Sequence, residues 1–164
     1  DNGISALKDM PSSTPKEQEA VAETIENNIG KEIVEKAQSN PKYYEKMSAL
    51  LRELIEKRKN DVINYEEYLR QIVELARKVH KPESNTEYPP GIRESAAKRA
   101  FYDHLKGDTV MAHQIYDAVM SSKQDNFRGS KIKERKIWRA IRAVVKDDQK
   151  ADQLLALVKE QSEF

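Results

Sequence analysis

The sequence predicts an all-α protein, a single compact domain of six or seven helices with no sheet. Three observations carry that expectation. Leu, Ala, Glu, Lys and Arg are abundant while glycine occurs only five times in 164 residues, the usage of chains that are mostly helix. Apolar residues recur at spacings of three and four through most of the chain. No strand pattern appears anywhere. The length suits one ordinary domain with a core of its own.

Taken in order, residues 1–13 ("DNGISALKDMPSS") lack helical periodicity and read as a linker or fusion junction, with the helical domain spanning 14–164. Thr14-Pro15-Lys16-Glu17 is a helix start: Thr14 as N-cap, Pro15 where a missing N–H costs nothing, Glu17 to complete a capping box. Val21, Ile25, Ile29 and Ile33 follow as one apolar stripe. Asn40-Pro41 ends that helix and caps the next, whose apolar positions are Tyr43, Tyr44, Met47, Leu50, Leu51, Leu54 and Ile55. After the charged break "RKND", Asn64 with Glu67 reads as another capping box. Tyr68, Ile72, Leu75, Ala76 and Val79 form that helix's inner face. An antiparallel pair joined by a short turn is the simplest arrangement of the two.

"HKPESNTEYPPG" holds three prolines and a glycine in twelve residues and is the clearest internal loop. Ser95 to Lys106 is a short helix with Ala97, Phe101 and Leu105 inward, stopped by Gly107. Asp108 or Thr109 caps a fifth helix carrying Val110, Ile115, Val119 and Met120. "QDNFRGS" is a second loop. A basic helix follows from Lys131, and Asp147-Asp148 leads into a last helix with Leu154, Leu155, Leu157 and Val158.

Several function classes are disfavoured at this level. The chain contains no cysteine, which excludes disulfides and thiolate metal sites and fits a reducing compartment. No apolar run approaches the roughly 20 residues of a membrane helix, and no signal peptide is visible. The chain opens on Asp1 rather than methionine, the expectation being a piece of something longer. His80, His104 and His113 form no His-x-x-x-His pair and read as ordinary helix residues. Gly129-Ser130-Lys131 is no phosphate loop. Asp147 and Asp148 near Lys150 read as helix caps rather than a metal-dependent nuclease motif. Tyr43, Tyr44, Tyr65 and Tyr68 read as packing residues with hydroxyls reaching solvent rather than as a base-stacking platform. No catalytic residue, metal ligand or cofactor requirement is assigned to this segment, which is read as not an enzyme by itself.

Charge is unevenly laid out. The net is only +1, yet residues 1–40 carry four basic and eight acidic side chains while residues 128–164 carry ten basic and six acidic. The basic end centres on "KIKERKIWRAIRAVVK", Lys131 to Lys146, with seven basic residues, one acidic residue and the only tryptophan. At 100° per residue Ile137, Trp138, Ile141, Val144 and Val145 share an arc of about 120°, a core-facing stripe in which Trp138 is a buried anchor. Glu134 falls in the same arc, so the packed part is expected to begin one turn later. Lys131, Arg135, Arg139, Arg142 and Lys146 occupy a neighbouring arc of about 80° and run about 20 Å along the axis, a reach matching several duplex phosphates. Like charges at i, i+4 cost a few tenths of a kcal/mol per pair. Five in a row therefore point to an anionic partner, nucleic-acid phosphate or acidic protein, rather than to a solvated face. Arginine forks suit phosphate and carboxylate alike, and an anion or nucleotide site at the ridge stays open.

"NPKYYEKMSALLRELIEKRKNDVINYEEYLRQIVELA" resembles a segment near the C-terminus of the restriction (motor) subunit of type I restriction–modification enzymes, closest to the IC type. The likeness rests on the aromatic pair, a Ser-x-x-Leu helix and Ile-x-Tyr-x-x-Tyr-Leu opening the next helix. "WRAIRAVVK" is similar to that family's closing helix. Together these span Asn40 to Phe164, about three quarters of the chain. The resemblance implies a parent subunit that cleaves DNA and translocates it with ATP and Mg²⁺ in the bacterial cytoplasm, through motifs that are missing here. It implies that this C-terminal helical domain docks onto the methyltransferase and specificity subunits where a DNA path is lined, with no membrane involved. The row Lys131, Arg135, Arg139, Arg142 and Lys146 then becomes the double-stranded DNA backbone contact. The Tyr43 to Ala76 hairpin becomes scaffold or subunit interface.

Overall fold

A computed structural model describes residues 14–164, so the linker expected over 1–13 lies outside the described residues. These residues form seven α-helices and no strand: α1 Pro15–Lys36, α2 Pro41–Lys59, α3 Tyr65–His80, α4 Ala96–His104, α5 Thr109–Ser122, α6 Lys131–Val145 and α7 Asp148–Lys159. Single 3-10 turns occupy Ala37–Ser39 and Pro82–Ser84. The all-α expectation and its helix order hold.

The starts of the helices follow from local chemistry. Thr14 and Glu17 make the reciprocal capping box of α1, which satisfies two N–H groups that the first turn leaves without a partner. Asn64 accepts from the Glu67 N–H at 2.8 Å, but its expected box is only half made. The Glu67 carboxylate turns instead to Arg70 and Gln71. Asp108, Ser130 and Asp147 cap α5, α6 and α7, and Gly107 at φ +86° ends the α4 segment, a conformation glycine adopts without Cβ strain.

Helices α1 to α3 pack up, down and up. The Tyr43 hydroxyl at the start of α2 donates to the Lys78 carbonyl near the end of α3 at 2.8 Å, and Arg58 near the end of α2 lies over the ring of Tyr68 near the start of α3. This is the expected antiparallel pair. Along α1 the stripe is displaced from the expectation: Ala22, Glu26, Ile29 and Ile33 are buried, while Val21 and Ile25 are only partly covered. Glu26 takes an inward position because Arg58 and Tyr68 both reach it.

The hydroxyls of Tyr43 and Tyr68 do not reach solvent as expected. Both rings are buried, and each hydroxyl finds an acceptor inside, the Lys78 carbonyl for Tyr43 and Glu26 at 3.0 Å for Tyr68. A buried O–H must find a partner or bear its desolvation cost.

In the second half each helix packs on its successor from α4 through α7, and α4 also meets α2 and α7, closing the domain. On α5 the buried residues are Ala112, Ile115 and Val119, whereas Val110 and Met120, expected inward, are exposed. The small Ala112 marks the inner face because α5 is crowded between α4 and α6. Both loops also contribute core residues that periodicity does not reveal, Tyr88 from the first and Phe127 from the second, and Ile92 just beyond the first loop is buried too. Buried apolar residues from Ala22 to Val158 form one cluster.

Candidate functional site

Helix α6 begins at Lys131 because Ser130 caps it and Gly129, at φ +83°, turns the preceding loop. Phe127, 1% exposed, pins that loop to the core. Ile137 and Ile141 are fully buried and fix the rotation of the helix. The row Lys131, Arg135, Arg139 is thereby left exposed on the opposite flank.

The five predicted residues do not behave alike. Lys131 and Arg139 make no ion pair or side-chain hydrogen bond among the described residues, and nor does the neighbouring Lys136. Arg135 lies over the Trp138 ring, 5.1 Å from its centre, where the π face attracts the cation. Arg142 is held: its Nε is 2.5 Å from Asp148 Oδ1 across the turn into α7. Lys146 is past the helix, at φ +56°, as the left-handed cap whose N–H donates to the Arg142 carbonyl. The row is therefore three outward cations on the helix, one neutralised arginine and one cap lysine.

One further expectation is corrected. Trp138 is not a buried anchor but partly buried, with its indole N–H donating to Asp152 Oδ1 at 2.7 Å. Its wheel position sits at the margin of the apolar arc, so α7 covers only part of it. The first buried residue of α6 is Ile137, one turn beyond Glu134 as expected, and Glu134 itself is engaged by its neighbours. That side chain is 17% exposed and accepts from the Gly129 N–H at 2.8 Å, with Lys159 of α7 3.2 Å away. The Gly129 N–H first and Lys159 second hold its carboxyl below the usual carboxylate range. A carboxylate in an apolar arc is tolerated where a loop N–H and a neighbouring ammonium are waiting for it.

Between the first half of α6 and the middle of α7 runs an open groove of about 640 Å³. Trp138 and Leu155 form its floor, and Lys131, Arg135, Lys136 and Arg139 line its α6 side. Ile132, 77% exposed, stands at its lip. Ile132 and Asp152 were not singled out in the sequence, and Leu155 was read only as an apolar position of the last helix. Their proximity depends on how α7 folds back after Lys146, and no spacing within one helix encodes that.

The contrast with α2 and α3 is chemical. There Lys57 pairs with Glu53, Arg70 with Glu67 and Arg77 with Glu74, whereas the outward row of α6 has no acid on its own face. The histidines have separate surroundings: His80 beside Glu32 at 3.0 Å, His104 beside Gln153 at 3.1 Å, His113 against Gly91. Among the described residues no cluster of three or more His, Asp or Glu side chains could hold a metal ion, and no helix is long and apolar enough to cross a membrane. Asp147 accepts from the Lys150 N–H at 2.8 Å, the capping role expected of it.

The chain matches no protein-family model, no curated protein and no solved structure.

Proposed function

We propose that this chain is a non-catalytic assembly and DNA-contact domain of a type I restriction motor subunit, with the cationic flank of α6 as its surface for the duplex backbone. The observation that carries the reading is the set of outward cations Lys131, Arg135, Lys136 and Arg139, gathered on one flank without an acid, whereas Lys57, Arg70 and Arg77 of α2 and α3 each have one. Uncompensated like charges raise the energy of a free helix, and counterion release on meeting phosphates lowers it again. The resemblance over Asn40 to Phe164 supplies the biological setting, docking onto the methyltransferase and specificity subunits beside the DNA path. ATP and Mg²⁺ belong in this reading to other domains of the parent subunit.

Duplex affinity of the 164-residue chain, titrated against salt, tests it. Binding should be sequence-independent, with log K falling by about 0.9 per decade of salt for each phosphate contacted. Changing Arg135, Arg139 and Arg142 to Ala should make that slope shallower by about 2, Arg142 counting least because Asp148 already holds it, while far-UV circular dichroism stays unchanged. An unchanged slope would remove α6 as the DNA surface.

A further inference from the structure

Phosphates explain the cations of α6 but not the apolar ground beside them. Ile132 is 77% exposed, and Trp138 and Leu155 line the groove floor. A strongly hydrated sugar-phosphate backbone has nothing to offer such surface, whereas an apolar side chain removed from water onto it is favourable. Two acids border the groove, and both are engaged: Glu134 with Gly129 and Lys159, Asp152 with the Trp138 indole. The four cations on the α6 side are thus left to a partner. A tryptophan with an arginine over it, in a concave site with an apolar floor, also has the composition of an interface anchor point.

We infer that the α6–α7 groove seats an acidic segment of a partner protein, which lays aliphatic side chains on Trp138, Leu155 and Ile132 and its carboxylates on Lys131, Arg135 and Lys136. This deepens the assembly half of the proposed function and rests on α6 being a contact surface. These cations are the ones the duplex reading uses, so such a segment and a duplex compete for the same flank of α6. A helical segment fits best, since its leucines at i, i+3 and i+4 share one face and glutamates can occupy the flanks.

The sole tryptophan makes the test local, because its emission reports on the groove itself. The probes are a 15-residue helical peptide of glutamates with leucines at i, i+3 and i+4, its Leu-to-Ser counterpart, a 20-base-pair duplex and a 20-residue oligo-dT. The leucine peptide should shift Trp138 emission saturably and bind at least tenfold more tightly than the serine peptide. Ile132→Ser, a neutral change at an exposed site, should weaken the leucine peptide at least fivefold and leave duplex affinity within twofold. Equal binding of the two peptides would reduce the site to charge alone and overturn the inference, as would an Ile132→Ser chain that binds the leucine peptide normally. Oligo-dT shifting Trp138 while the peptide does not would reassign the groove to single-stranded nucleic acid. A duplex that fails to bind while the peptide result stands would defeat only the DNA reading.

Discussion

Arg58 is 12% exposed at its side chain, with Nε 2.8 Å from Glu26 Oε1 and a second nitrogen 3.2 Å from Oε2, while Glu26 is 7% exposed and also accepts from Tyr68. One carboxylate therefore ties α1 to both α2 and α3. Breaking such a pair is costly chiefly because the remaining charge is left buried. Arg58→Met should lower stability by about 3 kcal/mol in urea unfolding, and adding Glu26→Gln to it should restore part of the loss. Arg58→Met losing under about 1 kcal/mol would mean that water reaches Glu26 once the arginine is gone. A partly buried carboxylate, Asp103, accepts from Asn40 at 2.7 Å and from the Tyr88 hydroxyl. Burial pushes its carboxyl above the usual range against the pull of those two donors.

At the level of elements, α6 and its join to α7 show what a helix signature conveys. Ile137, Ile141 and the basic row were legible, since a 3.6-residue period is a property of one segment. That Arg142 would be spoken for was not legible: Asp148 lies in the next helix and reaches back only because Lys146 reverses the chain. Lys146 adopts φ +56° at a cap position where glycine is the usual residue. Lys146→Gly should therefore raise stability by about 0.5–1 kcal/mol in thermal or urea melts. Where Lys146 also meets phosphate, the same change should flatten the duplex salt slope by up to about 1. The two readouts separate backbone strain from charge.

Across the whole molecule the chain end closes the fold. Gln161 is 2% exposed, and its amide donates to the Ser39 carbonyl at 2.8 Å and the Leu157 carbonyl at 3.0 Å. It thereby ties the end of α7 to the corner between α1 and α2. Glu163 accepts from the Ala97 N–H at 2.9 Å at the start of α4, and Phe164 packs near Phe101 and Tyr116. Removing the amide leaves the part-buried Ser39 carbonyl without it, so Gln161→Ala should cost about 1 kcal/mol. Because one apolar cluster spans both halves, the loss should appear as a single transition, with Trp138 emission and far-UV circular dichroism melting together. Separate midpoints would show that α1–α3 and α4–α7 unfold independently.

The sequence by itself determined the helix content, the order of the helices, most of their caps and the position of the basic row, because each depends on neighbours within about four residues. Tertiary structure decided which apolar residues are covered: Ala22 rather than Val21, Ala112 rather than Val110, and Tyr88 and Phe127 out of loops. It also decided that Trp138 floors a groove instead of filling the core. Which side of a helix loses water, and which cation meets an acid, is set by whatever helix comes to lie against it.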